Sequence, residues 1–173
     1  MMIAFNGLQK MSSELRLNPF NSAIETGVRS LAILVASFPE TCDLERLVEM
    51  DYLTVHTGDA PGGPESLHTP LPLRAGELLV RRGLIETGLN LMMSRRLIVR
   101  IPSSEGFSFL AGETAGPFLK SLSTNYAREL IDRAEWTVSK FRGETTQDIR
   151  RITHRLFERW STQFQSVQNG APQ

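Results

Sequence analysis

The spacing of apolar residues in the stretch 75–110 predicts a helix that is followed by a β-hairpin. Four apolar residues in its first part are separated by seven, four and three positions, which places them on one face of a helix. These residues are Leu78, Ile85, Leu89 and Met92. No proline interrupts this part, and its leucines and methionines favour helix formation. We therefore expect the face to pack against a hydrophobic core.

An alternation of apolar and polar positions begins after this helix and predicts two strands. The residues that carry the alternation are Leu97, Val99 and Ile101 in the first strand and Phe107 and Phe109 in the second. Residues 103–106 end in glycine and predict a four-residue hairpin loop. Pro102 suits the end of an exposed strand, because it lacks the N–H that a central strand needs.

Two amphipathic helices are predicted before this stretch. Ser22 and Glu25 form a capping-box pattern that opens the first helix, and Pro39 ends it. Residues 41–43 supply an N-cap for the second helix. The apolar stripes consist of Ile24, Val28, Leu31, Ala32 and Val35 in the first helix and Leu44, Leu47, Val48, Tyr52 and Val55 in the second. Two helices, a third helix and a hairpin form the order of a winged helix-turn-helix, so the predicted fold is mainly α (α+β) with a two-stranded wing and additional C-terminal helices.

The connection between the second and third helices, residues 57–72, is unusually long. It holds four of the nine prolines and three of the thirteen glycines of the chain, so regular secondary structure is not expected there. A plain winged helix has a tight turn at this place. Connections of this length inside a domain are usually functional or disordered.

Four polar residues in or beside this loop are candidates for chemistry: His56, Asp59, Glu65 and His68. Imidazole and carboxylate groups suit zinc or iron, so a metal site is one interpretation. Ordinary turn and hydrogen-bond roles are the favoured interpretation. An acid–base pair of His56 and Asp59 is a third, although no nucleophile or oxyanion motif accompanies it.

Further helices are predicted after the hairpin. Gly116 and Pro117 mark a helix start, and residues 125–141 carry an apolar face. A last amphipathic helix spans residues 144–167. Its candidates for binding a partner are Ile149, Ile152, Leu156, Phe157, Trp160 and Phe164.

Such a terminal helix either folds back on its own domain or docks in a groove of a partner, where Phe157 and Trp160 would serve as aromatic anchors. We expect docking. Truncation after Gly143 should then leave the melting temperature of the isolated chain nearly unchanged while abolishing co-purification with a partner.

Composition limits the architecture and the location. A chain of 173 residues with 40% apolar content fits one domain with a hydrophobic core. We expect a flexible N-terminal arm at residues 1–18, a winged-helix domain at 19–141 and an amphipathic helix with a tail at 142–173. The single cysteine, Cys42, agrees with a reducing cytoplasm. Neither an export signal nor the roughly 20 apolar residues of a membrane span is found, so we expect a cytoplasmic protein without membrane contact.

The sequence motifs of several enzyme classes are missing from the chain. It has no phosphate-binding glycine loop, no dinucleotide fingerprint and no zinc-protease helix motif. We therefore expect a protein that is not an enzyme and that uses no cofactor. A small metal-dependent hydrolase is the alternative, and it would need bound metal.

Basic residues surround the predicted third helix and the wing: Arg74, Arg81, Arg82, Arg95, Arg96 and Arg100. A recognition helix and wing that contact DNA carry such residues. A solvated helix face and a basic surface for an acidic protein partner are the other two interpretations. The 19 basic and 19 acidic residues give a formal net charge of zero, which argues against DNA as the main ligand.

Four segments of the chain resemble the middle component of prokaryotic ABC-three-component systems: LNPFNSAIETGVRSL, LERLVEMDYLTVHTGD, SLHTPLPLRAGELLVRRGLIETGLNLMMSRRLI and AGPFLKSLSTNYARELIDRAEW. The resemblance covers about residues 18–141. These systems include the Lamassu-type antiviral defences. In those systems a small winged-helix middle component accompanies a coiled-coil ATPase related to the structural-maintenance-of-chromosomes proteins and a separate effector, often a nuclease.

The resemblance implies a non-catalytic adaptor that links the ATPase subunit to the effector subunit in an antiviral or anti-plasmid defence complex. The basic residues would support DNA contact within that complex. It implies no catalytic residue. The alternative is a DNA-binding winged-helix transcriptional regulator, which should be a homodimer that binds a short duplex specifically, whereas an adaptor should co-purify with its ATPase.

Overall fold

Six helices and three short strands follow one another in the part of the chain that the computed structural model describes, residues 22–69 and 74–169. Side chains are described within residues 22–69 and 80–159. The helices are α1 (Ala23–Ser37), α2 (Leu44–Val55), α3 (Arg74–Ser94), α4 (Ala115–Ser121), α5 (Asn125–Phe141) and α6 (Thr146–Asn169). The strands are β1 (Cys42–Asp43), β2 (Ile98–Ser103) and β3 (Gly106–Ala111). The predicted arm at residues 1–18 lies outside the described residues.

The order of these elements confirms the predicted fold class. The described chain is mostly helical with a small antiparallel sheet of three strands, and three helices precede the β2–β3 hairpin. This arrangement is consistent with an α+β, winged-helix-like fold.

The third strand of the sheet was not predicted. Cys42 pairs with Phe109 and Asp43 pairs with Ser108, so β1 lies on the side of β3 opposite to β2. Asp43 also caps α2, because its side chain accepts a hydrogen bond from the N–H of Arg46 at 2.6 Å. The predicted N-cap is confirmed, and the same residue begins the helix and ends the strand.

The hairpin turn is shorter than predicted. Ser103 pairs with Gly106, so two residues connect the strands instead of four. Gly106 has a φ of 126°, a conformation that side-chain-bearing residues rarely adopt. Pro102 lies inside β2 and pairs with Phe107, which is tolerated because β2 is an edge strand.

Helix α1 lies at the centre of the fold rather than at its edge. Four consecutive residues, Leu31 to Leu34, are buried, whereas Ile24 from the predicted stripe is 65% exposed. The predicted stripe is confirmed at Val28, Leu31, Ala32 and Val35 and is wrong at Ile24. The burial extends beyond the stripe because α3 and α5 both pack against this helix. A helix that is covered on several sides needs apolar residues around its circumference.

Helices α1 and α3 approach most closely where Gly27 faces Gly88. A Cβ added at Gly88 would lie 2.6 Å from the backbone nitrogen of Gly27, and one at Gly27 would lie 2.9 Å from the carbonyl oxygen of Gly88. Real Cβ atoms do not approach backbone this closely, so both positions require glycine. On the same helix as Gly88, the predicted core face is confirmed at its described positions, since Ile85, Leu89 and Met92 are buried.

We predict that Gly88→Ala destabilises the fold and that Gly83→Ala, in the same helix, does not. An added methyl at Gly88 separates α1 from α3 and should lower the free energy of unfolding by about 1–3 kcal/mol, as other overpacked cores do. Nothing lies within 4 Å of a Cβ at Gly83, so alanine there should raise stability by about 0.5–1 kcal/mol through helix propensity.

Urea unfolding of the two variants and the unmodified chain measures both effects. Equal midpoints for Gly88→Ala and Gly83→Ala would show that the helices are not in tight contact at this crossing.

Candidate functional site

A buried carboxylate joins the first three helices. Asp51 of α2 is fully buried and accepts hydrogen bonds from Arg29 of α1, at 2.7 Å from Nε and 3.4 Å from Nη2. Arg81 of α3 donates through Nη1 to Oδ2 of the same carboxylate, the oxygen that also accepts from Nη2 of Arg29. Both guanidinium groups are themselves buried. One negative charge therefore lies between two positive charges from neighbouring helices.

The charges in this cluster stabilise one another against the cost of burial. Burial alone raises the pKa of Asp51, but the positive charges of Arg29 and Arg81 outweigh it, and its pKa lies below the usual range. Burial lowers the pKa of Arg29, but Asp51 outweighs it, and its pKa is raised. Both groups are therefore ionised at neutral pH. A buried charge that loses its partner is strongly destabilising, so the three side chains depend on one another.

The cluster extends to α5 and to the loop that follows α2. Glu25 accepts from Arg29 at 3.2 Å and from the hydroxyl of Tyr126 at 2.9 Å. That hydroxyl has given its hydrogen to Glu25, so it accepts from Nε2 of His68, which lies 2.9 Å away. We call the six residues Glu25, Arg29, Asp51, His68, Arg81 and Tyr126 the central polar network.

His68 is neutral within this network. Burial lowers its pKa to about 4, and the positive charge of Arg29 acts in the same direction. The 3.7 Å approach of its Nε2 to Glu25 is therefore not an ion pair at neutral pH. Burial also raises the pKa of Glu25, although Tyr126 and Arg29 oppose that shift. Hydrogen bonds therefore hold the network together at His68 and Tyr126, and charges hold it together at Arg29, Asp51 and Arg81.

The long loop after α2 is ordered against the helices through residue 69. A 3-10 turn at Thr57–Asp59 begins it, and the N–H groups of Leu67 and His68 both donate to the carbonyl of Val55, at 3.0 and 3.1 Å. Arg133 of α5 donates to the carbonyl of Glu65 at 2.9 Å. Regular structure beyond this short turn is absent from the described part of the loop, as predicted, and residues 70–72 lie outside the description.

The four candidate metal ligands do not form a metal-binding group, although the rings of His56 and His68 lie 6.3 Å apart. Asp59 accepts from the hydroxyl of Tyr52 at 2.6 Å, and His68 faces Tyr126. His56 is buried, with its ring 4.7 Å from that of Tyr52, while Glu65 is exposed. No group of three or more His, Cys, Asp or Glu side chains that could hold a metal ion occurs among the described residues. The described contacts are those of ordinary hydrogen bonding and packing, and the burial of His56 also makes it inaccessible as a general base.

The six arginines around α3 and the hairpin do not form one surface. Arg81 is buried in the central polar network, so the prediction that it contacts DNA or a partner is corrected by its position. Arg82 is paired with Glu45 and, at 3.9 Å, with Glu86. The side chain of Arg74 lies outside the described residues. The other three, Arg95, Arg96 and Arg100, are exposed, and within the described chain none has a carboxylate at ion-pair distance.

A groove of about 720 Å³ separates α3 from the hairpin. Its charged lining is mixed, with Arg82 and Arg100 on the basic side and Asp43, Glu45, Glu86 and Glu105 on the acidic side. Phosphates would meet carboxylates along this face of α3. The groove therefore lacks the positive potential that a recognition helix needs in order to enter duplex DNA.

The first half of α6 belongs to the hydrophobic core. Ile149, Leu156 and Phe157 are buried, and the ring of Phe157 lies 4.9 Å from that of Tyr52 in α2. The predicted partner-binding role is therefore corrected for these three residues, which pack against their own chain. Ile152 is half-buried against the same core. The side chains of Trp160 and Phe164 lie outside the described residues.

Charged contacts hold α6 in the same place. Arg150 donates to Glu45 at 2.6 Å and to Glu49 at 3.3 Å, both in α2. Truncation after Gly143 would remove part of the core. The prediction that it leaves the melting temperature nearly unchanged is therefore corrected.

We predict that Ile149→Ala lowers the free energy of unfolding by about 2–5 kcal/mol, since it removes a fully buried side chain and leaves a cavity. Arg151→Ala in the same helix is the control, because its side chain is 69% exposed and its ion pair with Asp148 lies at the surface, where such pairs contribute little to stability.

Thermal and urea unfolding of both variants provides the measurement. A stable Ile149→Ala variant that melts with the unmodified chain would mean that α6 is not part of the core.

One family model matches most of the chain. It describes the ABC-three component (ABC-3C) system Middle Component 2 and covers residues 19–163. No curated protein and no solved structure matches the chain. None of the described helices is both long enough and apolar enough to span a membrane.

The matched region runs past residue 141, where the resemblance read from the sequence ends, and it includes the buried half of α6. The matched region therefore contains the half of α6 that completes this core. Since the match extends over well more than half of the sequence, the chain belongs to the Middle Component 2 family and is a component of an ABC-three-component system.

Proposed function

We propose that this chain is a non-catalytic adaptor that holds the ATPase subunit of its system to the effector subunit. The observation that carries the proposal is the family match over residues 19–163, because a middle component of a three-component system implies other subunits of that system as partners. In finer detail, we propose a coiled-coil ATPase of the structural-maintenance-of-chromosomes type, a nuclease-type effector and a Lamassu-type role in cytoplasmic antiviral or anti-plasmid defence.

The arrangement of the polar groups supports an adaptor rather than an enzyme. Arg29, Asp51 and Arg81 of the central polar network are buried and pair with one another. They therefore hold helices together and do not face a substrate. The charged groups that remain accessible lie on exposed helix and hairpin surfaces. Such surfaces suit contacts with other proteins.

A DNA-binding regulator is less well supported by the same geometry. That function requires α3 to enter the major groove, with basic side chains along its exposed face. Arg81 is turned into the core, and Arg82 is neutralised by Glu45 and Glu86. Within the assembled complex, DNA contact at the exposed arginines of the hairpin end of α3 is the alternative to a protein contact there.

Co-expression of the three components of the system tests the adaptor role. We expect an affinity tag on the ATPase to recover both the effector and this chain. When this chain is omitted, the ATPase should no longer recover the effector. The omission is the critical measurement, because a passenger subunit would leave the ATPase–effector contact intact.

Two results would contradict the proposal. One is an ATPase–effector complex that forms equally well without this chain. The other is a homodimer of this chain that binds a short duplex sequence-specifically at physiological salt and recovers neither of the other components, which would establish the regulator instead.

A further inference from the structure

We propose that the C-terminal end of α3 and the edge of β2 form a docking surface for an extended, acidic and partly apolar segment of a partner subunit. The proposal rests on the proposed function, since it assigns the partner contact of the adaptor to one place. We call this place the β2-edge surface. It consists of Arg95, Arg96, Val99, Arg100 and Phe107.

The three arginines of the β2-edge surface lie within six residues of one another in the chain. Elsewhere, the exposed Arg142 and Arg151 each have a carboxylate within 4 Å. Arg95, Arg96 and Arg100 are exposed, and none has such a partner among the described residues. A chain with a formal net charge of zero thus concentrates three uncompensated positive charges at one end of the hairpin. Carboxylates are the complementary groups, because they bind guanidinium through paired hydrogen bonds.

Arg96 stands in a conformation that favours glycine. Its φ is 59°, and it follows α3 at the point where the N–H groups of Arg96 and Leu97 donate to the carbonyls of Met93 and Met92. Helices commonly end with glycine in this left-handed conformation, and another residue there costs stability. An arginine at this position gives up some stability and presents a positive charge on the surface.

Apolar side chains lie among these charges. Val99 is 47% exposed and Phe107 is 52% exposed, and the guanidinium carbon of Arg100 lies 4.4 Å from the centre of the Phe107 ring. A shallow depression between α3 and β2 is lined by Met93, Arg96 and Val99 and shares Met93 and Arg100 with the groove that Phe107 borders. The β2-edge surface is therefore continuous around the strand.

The position of β2 in the sheet indicates the shape of the occupant. The strand order is β1-β3-β2, so one edge of β2 is not paired with another strand in the described chain. Val99 and Arg100 are adjacent and point to opposite faces of the sheet. A segment that lies extended along this edge reaches both faces, and alternate side chains then meet Arg100 on one and Val99 on the other. Pro102 limits such pairing to the first part of β2.

A protein segment fits this surface better than a nucleic acid does. Phosphates would bind the arginines but would leave Val99 and Phe107 without an apolar partner. Carboxylates that alternate with apolar side chains satisfy both kinds of group. Charge complementarity and the mixed exposure therefore both favour an acidic, apolar segment.

The test uses the complex of the three co-expressed components, with the tag on this chain. The triple variant Arg95→Glu, Arg96→Glu, Arg100→Glu should lower the recovery of one partner by at least about tenfold, with a smaller loss at high salt. The matched control is Lys120→Glu, Arg128→Glu, Lys140→Glu, which makes the same charge change at exposed positions of α4 and α5 and should recover the complex normally.

Two further variants separate docking from folding and from nucleic-acid binding. Arg96→Gly removes one charge and relieves the left-handed strain, so it should melt at the same or a higher temperature than the unmodified chain while recovering less partner. Val99→Thr keeps a strand-compatible shape, removes apolar contact and should also weaken recovery, whereas a surface that binds only phosphate would not respond to it.

The outcomes distinguish this proposal from the proposed function. If the unmodified chain and the control recover the complex and the triple variant recovers it equally well, the docking surface is wrong and the adaptor role stands. If the triple variant assembles normally but the complex loses affinity for duplex DNA, the surface binds nucleic acid and the docking proposal is overturned. If the unmodified chain recovers neither partner, both proposals fail.

Discussion

The position of one buried carboxylate determines how the first three helices meet. Asp51 projects from α2 between Arg29 of α1 and Arg81 of α3, and the three side chains are almost completely shielded from water. Two guanidinium groups without this carboxylate would be like charges in a medium that solvates them poorly. The helices that supply them must therefore pack so that the carboxylate reaches both, and the close crossing of Gly27 and Gly88 is compatible with that requirement.

The surfaces offered to other subunits follow from this arrangement. Fixing α3 against α1 and α2 sets where its C-terminal end and the hairpin stand, and so places Arg96 and Arg100 at the exposed end of the fold. Glu45 of α2 accepts from both Arg82 of α3 and Arg150 of α6. The last helix is thereby linked to the same framework. We infer that this chain offers its partners a rigid surface rather than a separately hinged helix, at least as far as the first half of α6.

Local patterns in the sequence predict the elements of this fold well and their packing less well. The helix and hairpin of residues 75–110 follow from the change of apolar period, and the caps at Ser22 and Asp43 follow from local hydrogen bonding. The pairing of Cys42 with Phe109 and the partners of Asp51 depend on residues that lie far apart in the chain. The spacing of apolar residues within one segment therefore does not predict these contacts. For the same reason the sequence predicts a surface position for Arg81. A charged residue within an apolar helical window is nevertheless a signal of a buried partner.

The central claim of this account is that the Asp51 charges hold the three helices together, and Asp51→Asn tests it most directly. The substitution keeps the shape but removes the negative charge that lies between two buried guanidinium groups, so we expect the free energy of unfolding to fall by about 3–5 kcal/mol. The triple variant Arg29→Met, Asp51→Leu, Arg81→Met is the control, and it should lose much less, because no buried guanidinium group remains and Glu25 keeps its hydrogen bond from Tyr126. An Asp51→Asn variant as stable as the unmodified chain in urea unfolding would contradict the account.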